Sequence, residues 1–307
     1  MVMEDDKAFI AGQRRSGETY RSPVSSLGLL YQALYFLVKK DRSKLAVEEI
    51  MDLPTTTDKE EAVNYQQIYL TEKLFGEIVY APLISWLRAS KKHGDRFFVP
   101  GSGTGGVEDQ IWEEYRGKVD ITSSDISGRA LKGMLDNDYI PYELRNHLET
   151  RQIVADATNL GNIKDDQFDW TVTWNLAHHL PDITSLSNML FETARVAKKG
   201  VCHADPYDID KKPLPPLAVY AMTTLSRMLH RFRKGKSFEL GNLVRHDAVI
   251  SYFRSYQEAD IKKAVDDANK KLAEYALENN KSVKHLNLSP SKDGFFWVIS
   301  GDWSKQL

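Results

Sequence analysis

Arg96-Phe-Phe-Val-Pro-Gly-Ser-Gly-Thr-Gly-Gly106 is a short apolar run that breaks into four glycines and continues as Val107-Glu-Asp-Gln-Ile-Trp-Glu-Glu-Tyr115. This stretch reads as a strand, a tight loop and a helix. Glycines let the backbone take positive φ and approach a ligand with no Cβ in the way, and the helix that follows points free N–H groups at whatever rests on the loop. A nucleotide-like ligand is the first expectation. Gly101, Gly103 and Gly106 match the spacing G-x-G-x-x-G, whereas Gly101, Gly103 and Gly105 match G-x-G-x-G. The loop by itself does not choose between them.

Downstream of Asp95, short apolar runs alternate with helical patterns, the mark of a mainly parallel α/β sheet. The expected strands are Phe97 to Val99, Val119 to Thr122, Arg151 to Val154, Trp170 to Trp174, Gly200 to Ala204 and, near the end, Phe295 to Ser300. Helices are expected at Val107 to Tyr115, Gly128 to Leu135 and Ile183 to Ala197, the last stopped by Gly200. A long charged helix is expected from about Gln257 to Asn279. Upstream, residues 1–24 read as a polar arm, and helical spacing dominates from there to residue 94; the last of these helices carries Phe75 to Leu87 and is interrupted at Pro82. The expected division is therefore a helical N-terminal cap over 1–94 and an α/β domain over 95–307, with a proline-bearing, lid-like insertion at about 208–246.

Composition narrows the classes. Apolar residues make up 42% and charged residues 27%, ordinary globular proportions, and a net charge of -2 disfavours a chain built as a whole to grip nucleic acid. One cysteine, Cys202, rules out an intramolecular disulfide and any cysteine-based zinc site, and suits a reducing compartment. The apolar run Leu27 to Val38 is shorter than the roughly 20 residues a membrane helix needs, and the acidic Met1-Val-Met-Glu-Asp-Asp6 lacks the basic start of a signal peptide. A cytoplasmic protein with no membrane partner is expected.

Carboxylates recur where strands should end. Asp125 in Ser123-Ser-Asp-Ile-Ser127 closes the second strand, where an acid can accept both hydroxyls of a ribose or simply cap a helix. Asp156 in Val154-Ala-Asp-Ala-Thr158 closes the third, where it can accept from an exocyclic amine while Ala157 offers a backbone N–H; an Asx turn leaving the strand is the plainer reading. The fourth strand runs Phe168-Asp-Trp-Thr-Val-Thr-Trp-Asn-Leu-Ala-His-His-Leu180.

In this order the glycine loop, the two acids and the fourth strand resemble class I S-adenosylmethionine-dependent methyltransferases, over about Asp95 to Tyr207. The resemblance implies a Rossmann-like, mainly parallel seven-stranded sheet whose final, aromatic strand, here Phe295 to Ser300, runs antiparallel. It implies S-adenosyl-L-methionine as cofactor. Gly101, Ser102, Gly103 and Gly105 would hold its methionine part, Asp125 the ribose, Asp156 and Ala157 the adenine, and Asn175 would face the amino-acid part; Ile126 is a further expected cofactor-binding residue. One position departs from the pattern: the family often has an acid two residues before the first glycine, and Val99 stands there. That removes a charge-assisted partner near the cofactor's amino group unless another acid substitutes.

His178 and His179 follow the fourth strand where an acceptor would approach. As neighbours they are expected to point in different directions, which disfavours a metal pair; one of them is a candidate base, and a histidine that merely orients the loop is an equal reading. Ala204-Asp-Pro-Tyr207 looks superficially like a motif of base-methylating enzymes, but it follows the fifth strand and not the fourth. The basic run Arg227 to Lys236 reads first as a solvated helix end. The function expected is O- or N-methylation of a small molecule enclosed by the cap and the insertion. The rivals are an RNA or protein methyltransferase using the basic insertion, an idle cofactor-binding scaffold, and an NAD-dependent oxidoreductase.

Overall fold

A computed structural model describes residues 80–90, 94–137, 140–180, 182–206, 256, 258–290 and 296–304. The expected cap, apart from its last helix, and the expected insertion at 208–246 lie outside the described residues.

Strand β1 (Arg96–Pro100) is buried on both faces after its first residue, as a strand between two helical layers must be. It pairs in parallel with β2 (Asp120–Asp125) on one side and β4 (Phe168–Trp174) on the other, Phe97 lying opposite both Ile121 and Trp170. Outside β2 lies β3 (Gln152–Val154), and outside β4 lies β5 (Ala197–Pro206), both parallel. The hairpin β6 (Asn287–Pro290) and β7 (Phe296–Asp302) completes the sheet, β7 running antiparallel to β5. The order is β3-β2-β1-β4-β5-β7-β6. The expected Rossmann-like sheet of seven strands, mainly parallel with an antiparallel final strand, is the fold observed.

Alternation along the strands divides the core into two layers. Phe97, Val99, Trp170, Val172 and Trp174 face the helices α1 (Ala81–Ser90), α2 (Gly106–Glu114), α3 (Gly128–Leu135) and α4 (Tyr142–Glu149). Phe98 points the other way and stacks on Phe168 beside Val196. That second face is covered by α5 (Ile183–Val196) and α6 (Glu258–Glu278), which bury Leu186, Leu190, Ile261 and Leu272 against Val201 and Trp297. Pro82 sits in the first turn of α1, where a missing N–H costs nothing; the part of the expected helix before residue 80 lies outside the described residues.

Gly200 does not stop α5. The helix ends at Val196 and β5 begins at Ala197, placing Gly200 within a strand. A Cβ at Gly200 would strike the Gly301 carbonyl and come within 2.7 Å of the Trp170 ring, so close strand packing requires the glycine. The helix end is closed instead by Lys284, whose ammonium donates to the carbonyls of Ala194, Arg195 and Ala197 while pairing with Asp166 at 2.6 Å. No local spacing announces a cap that arrives from nearly ninety residues downstream. No helix among the described residues is long and apolar enough to cross a membrane.

Candidate functional site

The sheet order reverses between β1 and β4, so the carboxyl ends of these two strands flank the switch-point crevice at which open α/β sheets bind ligands. The glycine loop leaves β1 there. Gly101, Gly103 and Gly105 all have positive φ, while Gly106 is the first residue of α2. The three are held for different reasons. A Cβ on Gly101 would strike Leu176 at the end of β4, and one on Gly105 would strike Ile140 and Met134. At Gly103 the nearest atom would be 3.9 Å away, its own loop's Gly101 carbonyl, so side-chain space exists there and the backbone twist sets the need for glycine. Ser102 turns inward, donating to the Val99 carbonyl at 2.9 Å and accepting from the Ser124 N–H at 3.1 Å, which ties the loop to β2.

Asp125 stands at the end of β2 as expected. Its two carboxylate oxygens accept from the Gly103 N–H at 3.2 Å and the Ser127 N–H at 2.9 Å, so loop, strand end and the start of α3 share one carboxylate. Ile126 is half-buried beside it. Asp156 follows β3 in an Asx turn, one oxygen accepting from both the N–H and the hydroxyl of Thr158 at 2.8 Å. The plainer reading of Asp156 is therefore met by that oxygen, while the other accepts no hydrogen bond among the described residues. Ala157 is buried and belongs to the same apolar cluster as Ala177 and Leu180 beyond β4. Asn175 ends β4 with φ at 55° in the left-handed region, and its N–H donates to the Ala204 carbonyl at 3.0 Å. Its side-chain Oδ1 is buried and accepts nothing among the described residues. A buried acceptor left unsatisfied on a strained residue beside a glycine loop is the mark of a ligand-facing group.

Val99, where the resemblance led one to expect an acid, is buried in the core. A different acid lies beneath the loop. Glu108, in the first turn of α2, is fully buried and accepts from the Ser123 hydroxyl at 2.7 Å, its Oε2 unpartnered among the described residues. Burial raises its pKa to about 7, with the charge of Asp125 adding to the rise. The sequence reading missed Glu108 because α2's polar stretch looks like a solvated helix face.

His178 and His179 lie on a 3-10 turn, Ala177–His179, between β4 and α5. Their rings do not point apart: the centroids are 4.1 Å from each other with planes 40° apart. The expectation of divergence assumed an extended strand end, and the chain instead coils into a tight turn. Asp205, from the end of β5, holds that turn. Its Oδ2 accepts from the Ala177 N–H at 2.7 Å, and its Oδ1 lies 2.7 Å from His178 Nδ1. Both side chains are almost wholly buried. The sequence reading met Asp205 only inside Ala204-Asp-Pro-Tyr207, and nothing in that tetrapeptide tells that β5 lies beside β4. Among the described residues no group of three or more His, Cys, Asp or Glu is placed to hold a metal ion.

No family model matches the chain and no curated protein matches it in sequence. Solved structures do match in chain path. One is a SAM-dependent methyltransferase from Aquifex aeolicus, 13% identical, covering 78% of this chain and 97% of its own with a TM-score of 0.45. Another is magnesium protoporphyrin IX methyltransferase from Synechocystis PCC 6803 with bound SAM, 13% identical over 84% of this chain and 97% of its own, TM-score 0.47. An O-methyltransferase family protein from Burkholderia thailandensis is 12% identical over 76% of this chain and 58% of its own, TM-score 0.46. At identities and TM-scores this low, the functional reading rests on this chain's own geometry.

Proposed function

We propose that the chain is an S-adenosylmethionine-dependent methyltransferase acting on a small-molecule oxygen or nitrogen acceptor. The observation that supports this reading is that the glycine loop, Asp125, Asp156 with Ala157, and Asn175 with its buried unsatisfied Oδ1 each follow the carboxyl end of one of the four adjacent parallel strands β1 to β4. Asp125 is oriented by the Gly103 and Ser127 backbone N–H groups at the end of β2, the strand end at which an acid suits the hydroxyls of a ribose. The second oxygen of Asp156 suits an exocyclic amine, and Asn175 Oδ1 suits an ammonium group. These donors and acceptors fit a single nucleoside carrying an amino acid. When bound, the cofactor supplies a methyl group already activated by a sulfonium, so the chain's own task is chiefly to hold two reactants in line and exclude water. In this reading Glu108 takes up the role left vacant by Val99, as an acid beneath the loop. This reading takes the acceptor to be a small molecule and not RNA or protein, on the sequence expectation of a cap over 1–94 and an insertion at 208–246.

Calorimetric titration tests the assignment. Saturable binding of S-adenosylhomocysteine with no response to NAD is the expected result, and saturable NAD binding without any response to S-adenosylhomocysteine would overturn it.

A further inference from the structure

Glu108 lies fully buried in the first turn of α2, behind the glycine loop that leaves β1. We propose that cofactor binding draws a proton out of Glu108: the residue is a neutral acid in the free chain and a carboxylate once a ligand ammonium group rests on the loop, so that affinity rises with pH. The inference rests on the methyl-transfer reading and gives that site a proton-linked control. The hydrogen bonds around Glu108 suit its neutral form. Its Oε1 accepts from the Ser123 hydroxyl at 2.7 Å, and its Oε2 has no partner among the described residues. The Ser102 hydroxyl stands beside the carboxyl, but its hydrogen goes to the Val99 carbonyl at 2.9 Å. Ser102 therefore offers Glu108 only an oxygen, which a protonated carboxyl can use and a carboxylate cannot. An ionised Glu108 gains a hydrogen bond from Ser102 only if that hydroxyl gives up Val99.

The surrounding charges act in the same direction. Asp125, at the end of β2, sets a like charge near Glu108, and Asp109, next to it on α2, is a second buried acid. Other titratable groups meet α2 further along: His147 of α4 lies against Trp112, and Arg88 of α1 pairs with Glu114 at 2.9 Å. From β4, Trp170, Val172 and Trp174 face this layer, and none of them titrates. None of these residues brings a cation to Glu108. A ligand ammonium on the loop would supply one, and across a buried loop its field reaches the carboxyl without direct contact. The same acids turn a ligand carboxylate away from this side. The proton leaves for solvent, and no other bond forms or breaks.

Calorimetric titration of the full chain with S-adenosylhomocysteine, run at about pH 6.5 in two buffers of different ionisation enthalpy, counts the protons exchanged on binding. Release of about half a proton or more is expected, with affinity rising about fivefold or more from about pH 5.5 to about pH 7.5. Glu108→Gln keeps the shape of the neutral acid and cannot ionise. In that variant the release should fall to near zero, and affinity should stay within about twofold over the same range. Infrared difference spectra of the unaltered chain give a reading that needs no variant: the band of a protonated carboxyl should be lost when the ligand is added, and a band that persists overturns the proposal. Saturable binding with no proton exchanged, or with a proton taken up, overturns this proposal alone and leaves the methyl-transfer reading in place. An equal release in the folded variant does the same, because the proton then comes from another group. Failure of the unaltered chain to bind S-adenosylhomocysteine overturns the methyl-transfer reading and the proton linkage with it.

Discussion

At the scale of single residues, carboxyl groups in different surroundings take different tasks. Asp125 is pinned by two backbone N–H groups, and in the proposed reading it holds the ribose, so Asp125→Ala should weaken S-adenosylhomocysteine binding by about 1.5–3 kcal/mol, the range for hydrogen bonds to a charged group. Calorimetry reads this, and unchanged affinity in the folded variant would place the ribose anchor elsewhere. Glu108 has the opposite character, buried with one oxygen bonded to Ser123 and a pKa raised from the usual 4.5 to about 7. A folded pKa above the unfolded value means that the folded state holds its proton longer; the advantage is whole below about pH 4.5 and is lost as pH rises to 7. Glu108→Gln should therefore match the unaltered chain near pH 4.5 and exceed its stability by about 3 kcal/mol at pH 8, because each tenfold difference in ionisation constant is worth roughly 1.4 kcal/mol. Urea melts across that range decide it; a constant difference would mean the carboxyl is solvated. His203 runs the other way. Fully buried between the hydroxyls of Thr173 at 2.8 Å and Thr193 at 3.1 Å, its imidazole is pushed down to about 3 by burial. Its contribution is present above the unfolded value near 6.5 and is lost as pH falls toward 3.

Among elements, the junction of α5 with β5 shows how a helix ends without a local signal. Lys284 donates to three carbonyls there, and burial holds its pKa below the ordinary lysine value even though Asp166 draws it upward. Lys284→Met keeps much of the stem's packing but removes one donor from those carbonyls and leaves Asp166 with Lys281 alone of its two lysines, and should cost about 1–3 kcal/mol in chemical denaturation. A loss within experimental error would show that water closes the helix equally well. Gly200→Ala is the harsher change at the same junction, because the contact is with the Gly301 backbone and not with a side chain that can swing away. The expected outcome is a loss of folded protein at 37 °C, measured by circular dichroism. The glycine loop is a further case of element geometry, since Gly101 meets Leu176 and so joins the end of β1 to the end of β4.

For the whole molecule, the mainly parallel sheet sets the switch-point crevice at which the proposed chemistry would occur. In the proposed reading, removing residues 1–24 should impair methyl transfer to a cognate small acceptor more than it lowers the melting temperature, because an arm this polar in sequence adds little core but can complete a chamber. Full activity after truncation would remove the arm from the active site. Much of this was legible in the sequence. Continuous apolar runs such as Phe97 to Val99 and Trp170 to Trp174 mark strands covered on both faces, and glycines followed at once by a helix mark a ligand loop, because both signals arise from neighbours along the chain. The short β6 and α4 were missed, the first for its four residues and the second for the polar run Tyr142–Glu149, which buries only Leu144 and Leu148. Asp125, Asp156 and Asn175 announced themselves as strand-end residues. The partnership of Asp205 with His178, the cap that Lys284 supplies and the reason for Gly200 did not, since each joins residues at least 27 positions apart, and local periodicity does not encode which segments lie side by side. Sequence determined the alternation of elements and the chemistry at their ends; tertiary structure alone decided which ends meet, because strand order is set by packing between segments distant along the chain.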